Sequence, residues 1–494
     1  MNIPNNSQTT NQEIELKLEI APDDVERLRR QSTLEAANAR TQRQLTIYYD
    51  TPSQALQKLG FSLRVRSVGS TFVQTVKPLS KSAGLVMRDE FECSVPSATP
   101  DLGALAAGPL ETLSRGGKLD KLEPILRSDV ERTSWEIDVG GSCIQVDLDH
   151  GDMTAGGNSQ RFDELELELI SGEPYCLLSA AKSIAQQVPV RIGVMSKAER
   201  GAMLASGAFE RESKSAPVKV AKGAVAEAFE VIVHACLRHY RLNEPLVIAQ
   251  RNVSALHQSR VALRRLRSAF TLFKPVIADV EYEYLRAELR WFTGELGDAR
   301  NLDVFLAREM PDAERQPLLA RREEAYDQVI AAMNSPRSRM LLLELVGWTA
   351  FGPWRSGKRP RKPVEAYAIS RLDRLWGSIM AVGANLSALE EEPRHELRIQ
   401  IKKMRYAIEF LRELFDGGKA EKRFASAVEA LQESLGKLND AAVARTLVAD
   451  GSVAGEWLIG ESDERIHLEE AEEAFRQLEK AGPFWRPRSA RPDA

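Results

Sequence analysis

The hydrophobic pattern of this chain changes period part-way along, and that change constrains the fold more than any other feature. Up to about residue 205, apolar and polar residues alternate in short runs such as Glu13-Ile14-Glu15-Leu16-Lys17-Leu18-Glu19-Ile20, separated by Gly, Pro and Ser clusters. A two-residue period places successive side chains on opposite faces of a strand. Segments 22–35 and Tyr175–Gln187 instead carry Leu, Val or Ile at helical spacing, so this half is predicted to be α+β. Beyond residue 223 the segments 224–241, 252–273, 281–296, 367–389, 394–415 and 423–438 keep the helical period, which predicts an all-α second half.

Between them, 206–222 is rich in Gly, Ser and Lys, holds Pro217 and lacks apolar periodicity, the pattern of an exposed linker. The expected plan is a domain over 12–205, a linker over 206–222, a helical domain over 223–480 and a disordered Pro- and Arg-rich tail over 481–494. The helical half also repeats. His257-Gln-Ser-Arg260-Val-Ala-Leu-Arg264-Arg265-Leu-Arg267 returns as His395-Glu-Leu-Arg398-Ile-Gln-Ile-Lys402-Lys403-Met-Arg405, and Leu296-Gly297-Asp298 is echoed at Leu435-Gly436. Two related four-helix bundles are expected, about 223–350 and 364–480, joined across 352–363.

Net charge is only −4, so any anion-binding role is local rather than a property of the whole surface. Cys93, Cys143, Cys176 and Cys236 are widely spaced, which fits a reducing compartment, and no apolar run reaches the ~18 residues a membrane span needs. A cytoplasmic location is expected. The P-loop, nucleophile-elbow, H-E-x-x-H and dinucleotide-binding signatures are all absent, which removes support from the standard NTPase, esterase and zinc-protease readings.

The strand residues carry charge in a consistent parity. Glu13, Glu15 and Lys17 share a face, as do Arg64 and Arg66, then Arg88, Glu90 and Glu92, then Asp147 and Asp149, then Glu164, Glu166 and Glu168, and Lys77 ends another run. A single such strand is most simply one wet face of an antiparallel sheet. Stacked like charges cost stability unless opposite charge sits among them, and a metal-bound anion would satisfy both the acidic and the basic sets. Parity does not choose between a lumen and an outer surface.

These residues resemble the CYTH family over roughly 12–205. The resemblance is carried by E-x-E-x-K at Glu13, Glu15 and Lys17, by Tyr48-Tyr49-Asp50-Thr51, Arg64-Val-Arg66, Arg88-Asp-Glu90-Phe-Glu92, Glu164-Leu-Glu166-Leu-Glu168 and Ser196-Lys197-Ala-Glu-Arg200-Gly. It implies a triphosphate tunnel metalloenzyme: a closed eight-stranded antiparallel barrel with flanking helices and an inward-facing charged lumen. Glu13, Glu15, Glu166 and Glu168 would then ligate Mg²⁺ or Mn²⁺, assisted by Glu164 and with Asp147 beside them. Lys17, Arg64, Arg66, Lys77, Arg88 and Arg132 would clamp phosphate. Glu13, Glu15 and Lys17 would carry catalysis, with Glu90 and Lys197, like Asp147, orienting water or serving as salt-bridge partners.

In the helical half, His257, Arg260, Arg264 and Arg267 fall on one arc opposite Ala262, Leu263, Leu266 and Phe270. His395, Arg398, Lys402 and Arg405 repeat that line, with Arg265 and Lys403 at its edge. A solvated face is the ordinary reading, yet no acid interrupts either line for i, i+4 pairing. Repeated positive charge suits a linear polyanion, and the absence of interleaved aromatics argues against single-stranded nucleic acid. Across about 223–480 these motifs resemble the CHAD family, which implies that the eight stripe residues bind inorganic polyphosphate. Together the two resemblances imply a Mg²⁺- or Mn²⁺-dependent inorganic triphosphatase whose helical half binds polyphosphate and could hold it at polyphosphate granules. The alternatives are a non-catalytic polyphosphate-binding protein or a CYTH enzyme acting on thiamine triphosphate or nucleoside triphosphates, cyclases included.

Overall fold

The computed structural model describes residues 9–105, 109–111, 119, 121–307, 309–449 and 461–486. Its strands are β1 (Thr9–Glu19), β2 (Arg40–Asp50), β3 (Phe61–Val68), β4 (Thr71–Pro78), β5 (Leu85–Val95), β6 (Glu123–Val139), β7 (Ser142–Ala155), β8 (Asn158–Ser171) and the short β9 (Arg191–Ile192). They pair antiparallel in the order β5-β4-β3-β2-β6-β7-β8-β1. β1 pairs again with β5, placing Glu13 opposite Arg88, so eight strands close into a barrel. Closure leaves no unpaired edge in the ring. β9 lies beside the Glu19 end of β1.

The alternation of β1 now has a physical meaning, because both of its faces are covered. Leu16 and Leu18 point outward and are fully buried, beneath a layer that includes helix α1 (Tyr175–Gln187) with its buried Leu177, Ala181 and Ile184. At about 1.5–3 kcal/mol per buried Leu-sized side chain, this outer layer supplies the apolar core. Helix α2 (Lys197–Ser206) brings Leu204 to an apolar cluster of Tyr48, Leu126, Val130, Met153 and Phe162. On their strands Leu126, Met153 and Phe162 share parity with Arg132, Asp149 and Glu164, so the lumen face turns apolar toward α2. Gly201 permits that approach, since a Cβ there would stand 2.7 Å from a Leu126 methyl.

The helical half comprises α3 (Val225–Gln250), α4 (Val253–Ile277), α5 (Tyr282–Glu295), α6 (Gly297–Leu306), α7 (Asp312–Asn334), α8 (Pro336–Phe351), α9 (Val364–Gly383), α10 (Glu391–Leu411), α11 (Gly418–Ala449) and α12 (Glu461–Ala481), with shorter helical turns left unlabelled. Among the described residues the second copy comprises four helices, α9–α12, as expected, whereas the first is divided into six, α3–α8. The chain breaks between α5 and α6 at Leu296, whereas the echo at Leu435-Gly436 runs on inside α11. Another break falls before α8, where Ser335 caps Ser338 N–H at 3.1 Å and Pro336 takes the first helical position.

The chain divides into two compact units: Met1–Ser215 with His234–Leu263 and Tyr284–Gly352, and Ala216–Val233 with Arg264–Glu283 and Pro353–Ala494. Two sequence expectations are corrected here. Residues 206–222 are not simply exposed: Asn243 exchanges two hydrogen bonds with the Ser213 backbone at 2.9 and 3.0 Å, and Val218 and Val220 are buried. The tail is packed as far as Arg486, because Phe484 and Trp485 bury their rings against Phe424 and Trp485 Nε1 donates to Asp373 at 2.9 Å. Residues 487–494 lie outside the described residues. Among the described residues no helix is long and apolar enough to cross a membrane.

Candidate active site

Barrel closure turns the charged parity inward. Arg64 on β3 reaches Glu90 on β5, Lys77 on β4 reaches Glu13 on β1, and Arg132 on β6 reaches Glu166 on β8, each passing an intervening strand on the concave side. Register then sets the neighbours: Glu15 stands opposite Glu168, Lys17 opposite Glu166, Asp149 opposite both Arg132 and Glu164, and Asp147 opposite Glu166.

One group gathers around Glu13. Lys77 Nζ lies 2.6 Å from one of its oxygens and Arg88 Nε 2.9 Å from the other, while Arg88 Nη2 reaches Glu15 at 2.7 Å. Lys77 also pairs with Glu90 at 2.8 Å. Burial opposes ionisation of Glu13, but Lys77 and Arg88 outweigh it and hold the carboxyl down at about 2. Glu90 goes the other way: burial, reinforced by the Glu13 charge, raises its carboxyl despite Lys77 and Arg64.

A second group gathers around Arg132. Its guanidinium takes Asp149 through Nε and Nη2 at 2.6 and 2.7 Å, Asp147 at 2.6 Å and Glu166 at 2.8 Å. Lys197, first residue of α2, places Nζ 2.5 Å from Glu164, 2.9 Å from Glu166 and 3.0 Å from Asp149, and Lys17 reaches Glu166 at 3.0 Å. Burial disfavours every charge here. The Lys17 and Lys197 ammoniums nonetheless hold Glu166 well below the carboxylate range, and Lys197 and Arg132 hold Asp149 at about 2. At Glu164 burial outweighs Lys197 and Lys17, and the carboxyl is raised.

Two side chains stand apart from this pairing. Among the described residues Arg66 has no ion-pair partner, and burial beside Arg64 and Arg132 lowers its guanidinium to about 10. Glu168 likewise has none, and burial near Glu13, Glu15 and Glu90 raises its carboxyl to about 7. The donor set is all carboxylate oxygen, which suits a hard divalent cation. Carboxylate oxygens of Asp149, Glu164 and Glu166 lie within 4.8 Å of one another, but Lys197 already touches all three.

The residues expected in the lumen are therefore brought together: Glu13, Glu15, Lys17, Arg64, Arg66, Lys77, Arg88, Glu90, Arg132, Asp147, Glu164, Glu166, Glu168 and Lys197. Asp149 was legible by parity with Asp147 yet is absent from the expected ligand set, and its two-pronged contact with Arg132 makes it central. The Tyr48-Tyr49-Asp50-Thr51 motif proves partly architectural. Asp50 is buried and accepts the N–H groups of Thr51, Leu56 and Gln57 at 2.7–3.1 Å, capping the short helix Ala55–Leu59.

The basic stripes lie along α4 and α10. His395 and Arg267 are exposed, while His257, Arg260, Arg264, Arg398, Lys402 and Arg405 are half-buried. Arg265 departs from the expected stripe edge: it is fully buried, pairs with Glu409 at 2.7 Å and stands over the Phe410 ring, so it ties α4 to α10.

Comparison with known proteins separates the strand half from the helical half. The model of the CYTH domain matches residues 11–202 and that of the CHAD domain residues 231–449. The chain carries a CYTH domain followed by a CHAD domain. Over 205 residues it is 31% identical to an inorganic triphosphatase of Haemophilus influenzae, a match covering 40% of this chain and 56% of that protein, little more than half its length. The CHAD half is similar to the CHAD domain from the plant Ricinus communis (27% identity, 55% of this chain and 90% of that one, TM-score 0.44). The CYTH half is similar to a putative adenylyl cyclase from Hippeastrum described as having a dominant triphosphatase activity (20% identity, 40% and 96%, TM-score 0.29).

Proposed function

We propose that the CYTH barrel is a metal-dependent inorganic triphosphatase, cleaving tripolyphosphate to pyrophosphate and phosphate, and that the CHAD stripes bind polyphosphate. The observation that carries the reading is the pair of unmatched lumen charges. Arg66 calls for an anion and Glu168 for a cation, and a divalent metal carrying a phosphate chain answers both. Glu13, Glu15, Glu166 and Glu168 would hold the ion, with Asp147, Asp149 and Glu164 beside them.

When bound, a divalent ion supplies charge neutralisation and a bound water of lowered pKa. The chain's own residues do the rest. Arg64, Arg66, Lys77, Arg88 and Arg132 offer guanidinium and ammonium donors to phosphate oxygens, and Lys17 and Lys197 offer point charges. Most of these cations pair with carboxylates; the cations would serve phosphate and the carboxylates a divalent ion. Phosphoryl transfer needs mainly positioning and electrostatic stabilisation, and a lumen of preplaced charges gives both. Glu90, beside Lys77, would orient an attacking water or serve as a salt-bridge partner.

The deciding experiment is phosphate release from tripolyphosphate, ATP and thiamine triphosphate by the purified protein, with Mg²⁺, with Mn²⁺ and with chelator. Fast metal-dependent release from tripolyphosphate alone supports the reading. Release from an organic triphosphate instead would move the assignment to another CYTH activity. No release, with polyphosphate still retained, would make the protein a polyphosphate-binding one that keeps an enzyme's barrel.

A further inference from the structure

Lys197 reaches the lumen from a helix start that α3 grips. Helix α2 is capped by Ser196, whose side chain accepts the Glu199 N–H at 3.2 Å, while one Glu199 oxygen accepts the Ser196 N–H at 2.9 Å. This reciprocal cap sets the first turn, and Lys197 is its first residue. The other Glu199 oxygen accepts Arg238 Nη2 at 3.1 Å, and Arg238 also donates to the Val194 carbonyl just before the turn.

Arg238 does not act alone. His234, Arg238 and Arg241 lie four and three residues apart on α3, hence on one side of it. His234 Nδ1 accepts the Ala83 N–H at 3.0 Å, and Arg241 donates to the Ile192 carbonyl at 2.9 Å and to Glu19 at 2.8 Å. Glu19 also takes Arg200 at 3.1 Å. The segment 192–200 is thus held at both ends by guanidiniums from a helix that lies beyond the CYTH match. All of these residues belong to one compact unit.

We propose that Arg238 is a positioning residue for Lys197, so that the first long helix of the helical half is a working part of the CYTH barrel. The proposal rests on the triphosphatase reading, in which Lys197 meets the substrate. A displacement of about 1 Å in a catalytic group costs on the order of 10²-fold in rate, and a frayed cap at Ser196 displaces Lys197 first.

The test uses the full-length protein. Arg238→Ala should lower kcat on tripolyphosphate about tenfold with KM changed less than about twofold, and Arg238→Lys should recover part of the loss. Combined with Lys197→Ala, it should cost nothing beyond Lys197→Ala alone, because its effect passes through that side chain. Hydrogen exchange over 196–204 should rise in Arg238→Ala while β7 and β8 keep wild-type protection. If Arg238→Ala fails to fold, Glu199→Gln keeps the cap and removes the charge that Arg238 meets, and the same pattern is expected more weakly. Additive losses in the double variant, or unchanged kcat, would overturn the proposal. A wild type that turns over no triphosphate would sink the triphosphatase reading instead; the exchange experiment then decides alone, and unchanged protection over 196–204 would end the positioning claim.

Discussion

Arg132 holds Asp149 with both prongs of its guanidinium, Nε at 2.6 Å and Nη2 at 2.7 Å, on adjacent strands inside the barrel. The same guanidinium reaches Asp147 and Glu166, so one cation contacts three carboxylates. Arg132→Ala would leave Asp147 buried without its cation and Asp149 and Glu166 with only their lysine partners. A loss of about 3–5 kcal/mol is expected in denaturant melts, with Arg132→Lys intermediate, since an ammonium cannot make the paired contact.

Arg66 predicts the opposite balance. It has no carboxylate to abandon, so Arg66→Ala should leave the melting temperature near that of the wild type while weakening substrate binding. A charged hydrogen bond of about 1.5–3 kcal/mol corresponds to a KM for tripolyphosphate raised roughly 10–150-fold. A large fall in melting temperature with unchanged KM would contradict the substrate-facing role.

Glu168 makes stability depend on pH in the metal-free protein. Its carboxyl is raised from 4.5 to about 7 by burial and by Glu13 and Glu15, so the folded state holds a proton that the unfolded state releases. Its contribution is therefore best below pH 4.5, falls as pH rises to about 7 and is constant above that. Glu168→Gln should match the wild type near pH ~4 and melt higher at pH ~8 in chelator. Added Mg²⁺ should narrow the gap by stabilising the wild type.

Glu13 and Asp149 act on the acid side. Both carboxyls are depressed to about 2 in the folded protein, from 4.5 and 3.8. Their stabilisation is full above those ordinary values and is lost as pH falls through about 2. Acid unfolding of Glu13→Gln should accordingly show a shallower decline between pH ~4.5 and ~2 than the wild type.

The two halves can be separated chemically. Glu13→Ala with Glu15→Ala should abolish metal-dependent phosphate release and leave polyphosphate retention unchanged. Neutralising Arg398, Lys402 and Arg405 together should weaken retention and its salt dependence while turnover persists. Retained turnover in the first variant would remove the metal assignment of Glu13 and Glu15.

Much of this was legible in the linear chain because it is local. The period of two against the period of 3.6 separates strands from helices, and parity alone groups Glu13 with Glu15 and Glu164 with Glu166. Repetition of the His257 motif at His395 marks the duplicated helices. Which side of β1 faces inward was not legible, because both of its faces are buried in the folded barrel. Only closure through the β1–β5 pairing turns the charges into a lumen. The matching of charges was equally hidden: Arg66 and Arg132 look alike in sequence, yet one stands unpaired and the other holds three carboxylates. Arg265 looked like part of a basic stripe until packing against Glu409 and Phe410 buried it. Arg238 carried no signal at all, since it meets Glu199 only when α3 docks beside α2. Local patterns report the torsional and facial preferences of a few neighbouring residues. Which distant charge sits within 3 Å of which is set by closure and docking, and there the tertiary structure decided.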